Sequence, residues 1–471
     1  MIRVSTLPPR PQRINFSIVE HLQKEKEDKR KTASIRGYQH RTLEEVVKIV
    51  QDQLKKTDGT AEEQDEHKEM IHQAGLGNPI AQERVKSIIK QIIYDHMLYA
   101  SLGELQERMS LPEAVFALTV GAGYIEDLYK GKEIEEVQVN GIDIYIMRDG
   151  VSVKFPRVFN NMDQVIRLQE RLALYGRARI NEQHPICHTY MFNKARLTMT
   201  QSPYSAFPTI AIRNFILRDP ELHSTLVDRG TLNTAMAMLL SLFVKYHASI
   251  IVAGGTKTGK TTTLYALAKE IPVLERVLSL ETEMEMRLDE RLPGRNIVPY
   301  QAVPELGISM EDAFLPLLRL SPDRIIIGEV RGPEASQAVQ AALRGHDTMV
   351  SLHSKYRSMI ITDIMDMVKQ DGRTHDDNLL KNRIGRAFNI VIYQRFVKVN
   401  ERKNLRVMTE ITEVVPTENG DIIMRPLYEW KAEKNDWVRT EHKISHELME
   451  HMMSYGASAE EFTALGLYGC N

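Results

Sequence analysis

Five short runs of apolar, largely β-branched residues punctuate the chain after residue 247: ASIIVAGG, RVLSLET, RIIIGEV, DTMVSLHS and NIVIYQR, with helical patterns between them. Runs without polar alternation suit strands buried on both faces, and intervening helices supply the cover. They therefore predict a parallel sheet in a doubly wound α/β domain. The first run leads into GGTKTGKT, Gly254 to Thr261, and then into the helical pattern KTTTLYALAKEI. A strand, a glycine-bounded turn and a helix, in that order, is the context in which G-x-x-x-x-G-K-[ST] cradles phosphate. The glycines let backbone amides turn inward, and the helix N-terminus adds free N–H groups and the positive end of its dipole.

Gly259-Lys260-Thr261 fixes the register of this loop. Lys260 is then the lysine that reaches the β- and γ-phosphates of ATP, and Thr261 can hold Mg2+ through its hydroxyl. Gly254, Gly255, Thr256, Lys257, Thr258, Gly259 and Thr262 complete the expected nucleotide-binding set. Lys257 is the odd member, because many such loops carry glycine there. It is read as an outward-facing lysine, as an added charge at the nucleotide mouth, or as a subunit contact.

A site that hydrolyses nucleotide needs a carboxylate to polarise water, at the end of a strand beside the loop strand. PDRIIIGEVRGPEA provides Glu329 as that general base, with Gly328 where an aspartate is usual. Mg2+ is then expected to rest on Thr261, phosphate and water, with little direct carboxylate help. Glu281 ends the run RVLSLET and can face the same site. GHDTMVSLHS places His346 and His353 on either side of one strand, and at least one of them is read as sensing phosphate or water. With so few ligands nearby, zinc is not favoured.

Upstream, the period differs. TLEEVVKIVQDQLKK has helical spacing with a Thr42/Glu45 capping box, a second helix is predicted to start at Pro79, and LPEAVFALTVGAG gives a third. KKTDGTAEEQDE is read as a separator between them. IEEVQVNGIDIYIMRDGVSVKF alternates at period two around Asn140-Gly141 and Asp149-Gly150, predicting antiparallel strands. A helix over NMDQVIRLQERLALYG and further strands at ARLTMTQS and TIAIRNF complete an α+β region. After the parallel sheet come a hairpin around TENGDIIMRPLYEW and a helix at HELMEHMMSYG. The division expected is a helical module with a charged arm over 1–120, an α+β domain over 121–220, a RecA-like ATPase domain over 221–440 and a helical tail over 441–471.

Composition sets limits on this reading. A net charge of −2 gives no global reason to expect nucleic acid or acidic lipid. The two cysteines, Cys187 and Cys470, exclude a disulfide scaffold or a Cys-x-x-Cys zinc clamp and fit a reducing cytoplasm. The start, MIRVSTLPPRPQRINF, is no signal peptide. The most apolar helical run, Thr234 to Val244, falls short of the roughly 20 residues that span a bilayer.

GGTKTGKTT, LETEMEM, RIIIGEVRGPEA and GHDTMVSLHS, in that order, resemble the Walker A, Asp box, Walker B and His box of the type II/IV secretion ATPases. The likeness extends upstream through GRARINEQHP and TIAIRNF, covers about residues 120–430, and is nearest to Tad-pilus-type members. It implies a homo-hexameric ATPase motor with nucleotide between its N- and C-terminal domains. The motor would power a pilus, secretion or conjugation machine through an inner-membrane platform or channel protein, from the cytoplasmic face. It implies Arg196 and Arg213 as cations for the γ-phosphate, while a first family arginine falls at Tyr190 here, and Arg331 and Arg395 also match family arginines. The domains would move about a hinge over 215–224. Two departures are Thr282 in place of the Asp-box aspartate and the missing four-cysteine zinc motif. No direct nucleic-acid contact is expected. The alternative readings are a DNA-translocating ring ATPase and a nucleotide-dependent scaffold with little hydrolysis.

Overall fold

The computed structural model describes residues 39–56, 60–102, 109–131, 133–215, 219–400 and 403–467. The charged arm, Cys470 and part of the expected hinge (216–218) lie outside them. The described residues form two compact units, one up to residue 215 except 149–151, the other holding 149–151 and everything from 219 onward.

In the first unit the helices Leu43–Lys55, Ala61–Leu76, Pro79–Asp95 and Leu111–Thr119 share a core that includes Val46, Val50, Val85, Ile89 and Phe116. The Thr42 capping box and the proline start of the third helix are as predicted. The separator is not: residues 61–66 open the helix Ala61–Leu76, capped by a Thr60/Glu63 box and ended at Gly77 in the left-handed conformation. Its weak amphipathicity hides it from a periodicity reading, since charged residues circle most of it. Two short strands, β1 (Gln39–Arg41) and β2 (Leu98–Ala100), pair in parallel.

The sheet of this unit has six strands in the order β5-β4-β3-β8-β7-β6. They are β3 (Glu136–Asn140), β4 (Asp143–Arg148), β5 (Val151–Val158), β6 (Ile186–Tyr190), β7 (Arg196–Thr200) and β8 (Thr209–Arg213). The helix Met162–Tyr175 covers it, burying Val165, Leu168 and Leu172 against Val137, Val139 and Ile210. Tyr175 then enters the helical core, where a side chain at Gly75 would meet its ring at 2.0 Å. Arg171 donates to the Leu118 and Thr119 carbonyls at 2.9 and 3.3 Å, tying the covering helix to the last of the four helices.

The second unit is built on a nine-stranded sheet, β11-β10-β12-β13-β9-β14-β15-β16-β17. Its strands are β9 (Ile250–Gly254), β10 (Val277–Glu281), β11 (Ile297–Gln301), β12 (Arg324–Val330), β13 (Asp347–His353), β14 (Ile390–Asn400), β15 (Lys403–Pro416), β16 (Ile422–Lys431) and β17 (Asp436–Arg439). Strands β9 to β14 run parallel, and β14 to β17 continue as an antiparallel meander. Alternate residues of β9 enter opposite cores, Ile250 and Val252 on one face and Ile251 and Ala253 on the other. The five predicted runs are all strands, and β11, with its proline and half-buried residues, is one the pattern did not disclose. Parallel neighbours on both sides of β9, with the glycine loop at its end and the helix Lys260–Lys269 after it, make this a RecA-like core. The C-terminal helices His446–Ser454 and Ala459–Ala464 bury Leu448, Met452 and Phe462 in the same core as Ile250. No helix among the described residues is long and apolar enough to cross a membrane.

Candidate active site

The ends of three neighbouring strands, β12, β13 and β9, carry Glu329, His353 and the glycine loop respectively. Parallel pairing in register, with His353 opposite Gly254, brings these residues to one edge of the sheet. Gly254 has φ +157°, and a Cβ on it would lie 2.3 Å from the Gln394 carbonyl oxygen of β14, so only glycine fits. Gly259 has φ +96° and begins the helix. Between them Thr258 is buried, its hydroxyl donating to the Gly255 carbonyl at 2.9 Å. Gln394 steadies the first turns of the helix by donating to the Thr263 hydroxyl at 2.6 Å.

Lys260 is 6% exposed, and its ammonium points into the loop, donating to the Gly255 carbonyl at 3.0 Å. Its Nζ also lies 3.2 Å from Nδ1 of His353. An ammonium has no lone pair, so Nδ1 accepts and the proton of a neutral ring sits on Nε2. That Nε2 is 3.0 Å from Glu329 Oε1, an ion-pair distance without hydrogen-bond alignment. Arg331 donates to the other oxygen, Oε2, at 2.6 Å. Lys260, His353, Glu329 and Arg331 thus form one continuous polar chain. Burial alone would push the Glu329 carboxyl up, but Arg331, His353 and Lys260 outweigh it and hold the group below its usual value. Glu329 is therefore ionised at neutral pH, as a general base requires.

Glu281, at the end of β10, is 3% exposed, and its Oε2 accepts the backbone N–H groups of Glu285 and Met286 at 3.0 Å each. Burial pushes its pKa up to about 7 against those two donors. Its Oε1 is buried without a hydrogen bond. Glu281 also explains the glycine before Glu329, since a Cβ at Gly328 would sit 2.8 Å from the Glu281 Cγ. Any side chain at 328 therefore crowds the buried Glu281. Glu283 and Glu285, just after β10, are half-buried.

The sequence-expected residues divide into three groups. The loop residues 254–262, Glu281, Glu329 and His353 come together. His346 does not: it precedes β13, at the opposite end from His353, and its Nδ1 lies 3.2 Å from the Pro322 carbonyl. Seven residues of parallel strand separate the two histidines by roughly 20 Å. The expectation that His346 works beside the phosphate loop is thereby corrected. Arg196 and Arg213 lie in the first unit, directly opposite one another on β7 and β8, and Tyr190 is the cross-strand neighbour of Arg196. Beside the loop is a cavity of about 440 Å³ lined by Gly255, Thr256, Thr258, His353, Arg395 and Phe396 among others.

Lys257 adopts φ +63° and is half-buried instead of fully solvent-facing. Its carbonyl accepts a hydrogen bond from Arg406 Nε at 3.0 Å. No local signal marks Arg406, because the contact depends on how β15 folds back along β14.

A family model described as type II/IV secretion system protein matches residues 121–429. An uncharacterised protein of Methanocaldococcus jannaschii is 28% identical over 247 residues, which is 49% of this chain and 34% of that protein. The type II secretion system protein E of Klebsiella pneumoniae is 27% identical over 248 residues, 50% of this chain and 48% of that protein. The chain thus spans between a third and a half of the length of these two relatives. Among solved structures, the ATPase DotB of Yersinia pseudotuberculosis is 18% identical with a TM-score of 0.46, covering 60% of this chain and 76% of that one.

Proposed function

This chain belongs to the type II/IV secretion system protein family, and from that premise we propose that it is an ATP-hydrolysing motor of a pilus, secretion or conjugation machine. The observation that carries the proposal is the polar chain from Lys260 through His353 to Glu329 at the mouth of the glycine loop. In this reading ATP is the substrate, and its phosphates replace the Gly255 carbonyl as the partner of the Lys260 ammonium. The backbone amides of 256–262 and the helix N-terminus hold the phosphate oxygens. Glu329 takes the proton from the attacking water. His353, between lysine and glutamate, registers whether a γ-phosphate is present by exchanging Nδ1 contacts.

The residues present fit a hydrated Mg2+. Glu281 Oε1 and Glu329 Oε1 are buried oxygens without hydrogen bonds, and Thr261 stands in the first turn of the helix. The Thr261 hydroxyl would hold the ion directly, and the two carboxylates would hold it through water. When bound, the ion neutralises charge on the β- and γ-oxygens. Among the described residues no group of three or more His, Cys, Asp or Glu side chains is placed to hold a metal ion. Arg196 and Arg213 are assigned to the developing γ-phosphate charge on the strength of the family resemblance.

The motor would act as a homo-hexamer against an inner-membrane platform or channel protein, from the cytoplasmic face. Two substitutions test the reading. Lys260→Ala should abolish tight ATP binding, and Glu329→Gln should keep binding while stopping phosphate release. Normal steady-state turnover by Glu329→Gln would overturn the assignment of the base.

A further inference from the structure

The phosphate loop holds one non-glycine residue in a left-handed conformation, Lys257 at φ +63°. Glycine takes this conformation freely and lysine does not. Something must therefore hold the outer arc of the loop in shape. The neighbouring meander supplies it. Arg406 of β15 lies directly opposite Phe396 of β14 in the antiparallel ladder. Its guanidinium packs over the Phe396 ring, 5.3 Å from the centroid. From there Nε donates to the Lys257 carbonyl at 3.0 Å. Its Cδ would lie 3.4 Å from a Cβ at Gly259, so the same side chain rests against the last glycine of the loop. One arginine thus touches both halves of the arc.

We propose that Arg406 is a positioning residue that presets the phosphate loop, offsetting the left-handed strain at Lys257 so that the loop's amides already point inward when ATP arrives. The inference deepens the ATPase reading and rests on it. Arg406 acts through the loop backbone and has no part in the chemical step. Its loss lets Lys257 relax toward an ordinary backbone region, and the cradle opens. The cost should then fall on nucleotide affinity, because rebuilding the cradle must accompany each binding event.

If the defect of Arg406→Ala comes from Lys257 leaving its left-handed state, glycine at 257 should repair it, because glycine holds that state without a brace. A merely structural role for Arg406 in the β14–β15 ladder would not respond to residue 257.

The test is MgATP binding and steady-state hydrolysis by the full chain. Arg406→Ala should weaken binding about tenfold, equivalent to about 1.4 kcal/mol, and raise KM in step, with kcat within about twofold of the parent. Arg406→Lys keeps the charge but lacks the Nε–H fork, and should show the same loss. Adding Lys257→Gly to Arg406→Ala should return most of the affinity. Parental affinity in Arg406→Ala or Arg406→Lys overturns the proposal, as does a binding defect that Lys257→Gly leaves in place. Lys260→Ala run alongside separates the two levels. If it binds ATP like the parent, the ATPase reading itself fails; if it loses ATP while Arg406→Ala does not, only the brace fails.

Discussion

Gly328→Ala tests whether Glu281 dictates the glycine that precedes Glu329. The added methyl would lie 2.8 Å from Glu281 Cγ and 3.5 Å from its Cβ. The glutamate cannot swing aside at no cost, because Oε2 is held by two backbone N–H groups and the side chain is 3% exposed. Overpacking of this kind costs about 1–3 kcal/mol. For a domain the size of the second unit, each kcal/mol moves the melting point by about 2–4 °C, so the variant should melt about 2–12 °C below the parent. Calorimetry on the nucleotide-free protein measures this. Glu281→Ala supplies the control, since it removes the Cγ that the new methyl meets. In that background Gly328→Ala should cost little, giving a coupling of about 1–3 kcal/mol in the double-mutant cycle. An unchanged melting point, or an equal drop in both backgrounds, would refute the crowding between 281 and 328.

Two pH-dependent outcomes follow from buried groups. Glu281 keeps its proton in the folded chain up to about 7, against an ordinary glutamate value of 4.5, so the folded state binds more protons across that window and stability falls as pH rises through it. The shift corresponds to roughly 3 kcal/mol, and Glu281→Gln should flatten the decline in melting temperature between about pH 5 and pH 8. His247 shows a second pH dependence: burial pulls its pKa down, but Asp347 at 2.5 Å and Glu275 at 3.3 Å outweigh burial and leave it raised. Its stabilising contribution is complete below the unfolded value and is lost as pH rises through the folded one. His247→Gln should therefore be less stable than the parent at about pH 6, with the gap closing toward about pH 9, read by thermal unfolding; a gap independent of pH would remove the imidazolium from the account.

Much of this architecture was legible because the relevant signals are local. Gly259-Lys260-Thr261 after an apolar strand fixed the loop and its lysine, and five apolar runs fixed five parallel strands. The helix Ala61–Leu76 was missed because its carboxylates surround it, although Thr60, Glu63 and Gly77 were its start and stop signals. His346 and His353 looked equivalent because a strand's two ends are alike in sequence, and only topology tells which end meets the phosphate loop. The exchange of aspartate for Gly328 was visible but unexplained until Glu281 was found packed against it. Arg406 was invisible, since its role depends on the register between β14 and β15.

In the proposed mechanism Lys260 binds nucleotide and Glu329 turns it over. ATP binding and phosphate release, measured in parallel on Lys260→Ala and Glu329→Gln, test it most directly. Lys260→Ala should lose both, while Glu329→Gln should retain ATP and release no phosphate above background. Phosphate release at the parental rate from Glu329→Gln, or undiminished ATP binding by Lys260→Ala, would contradict it.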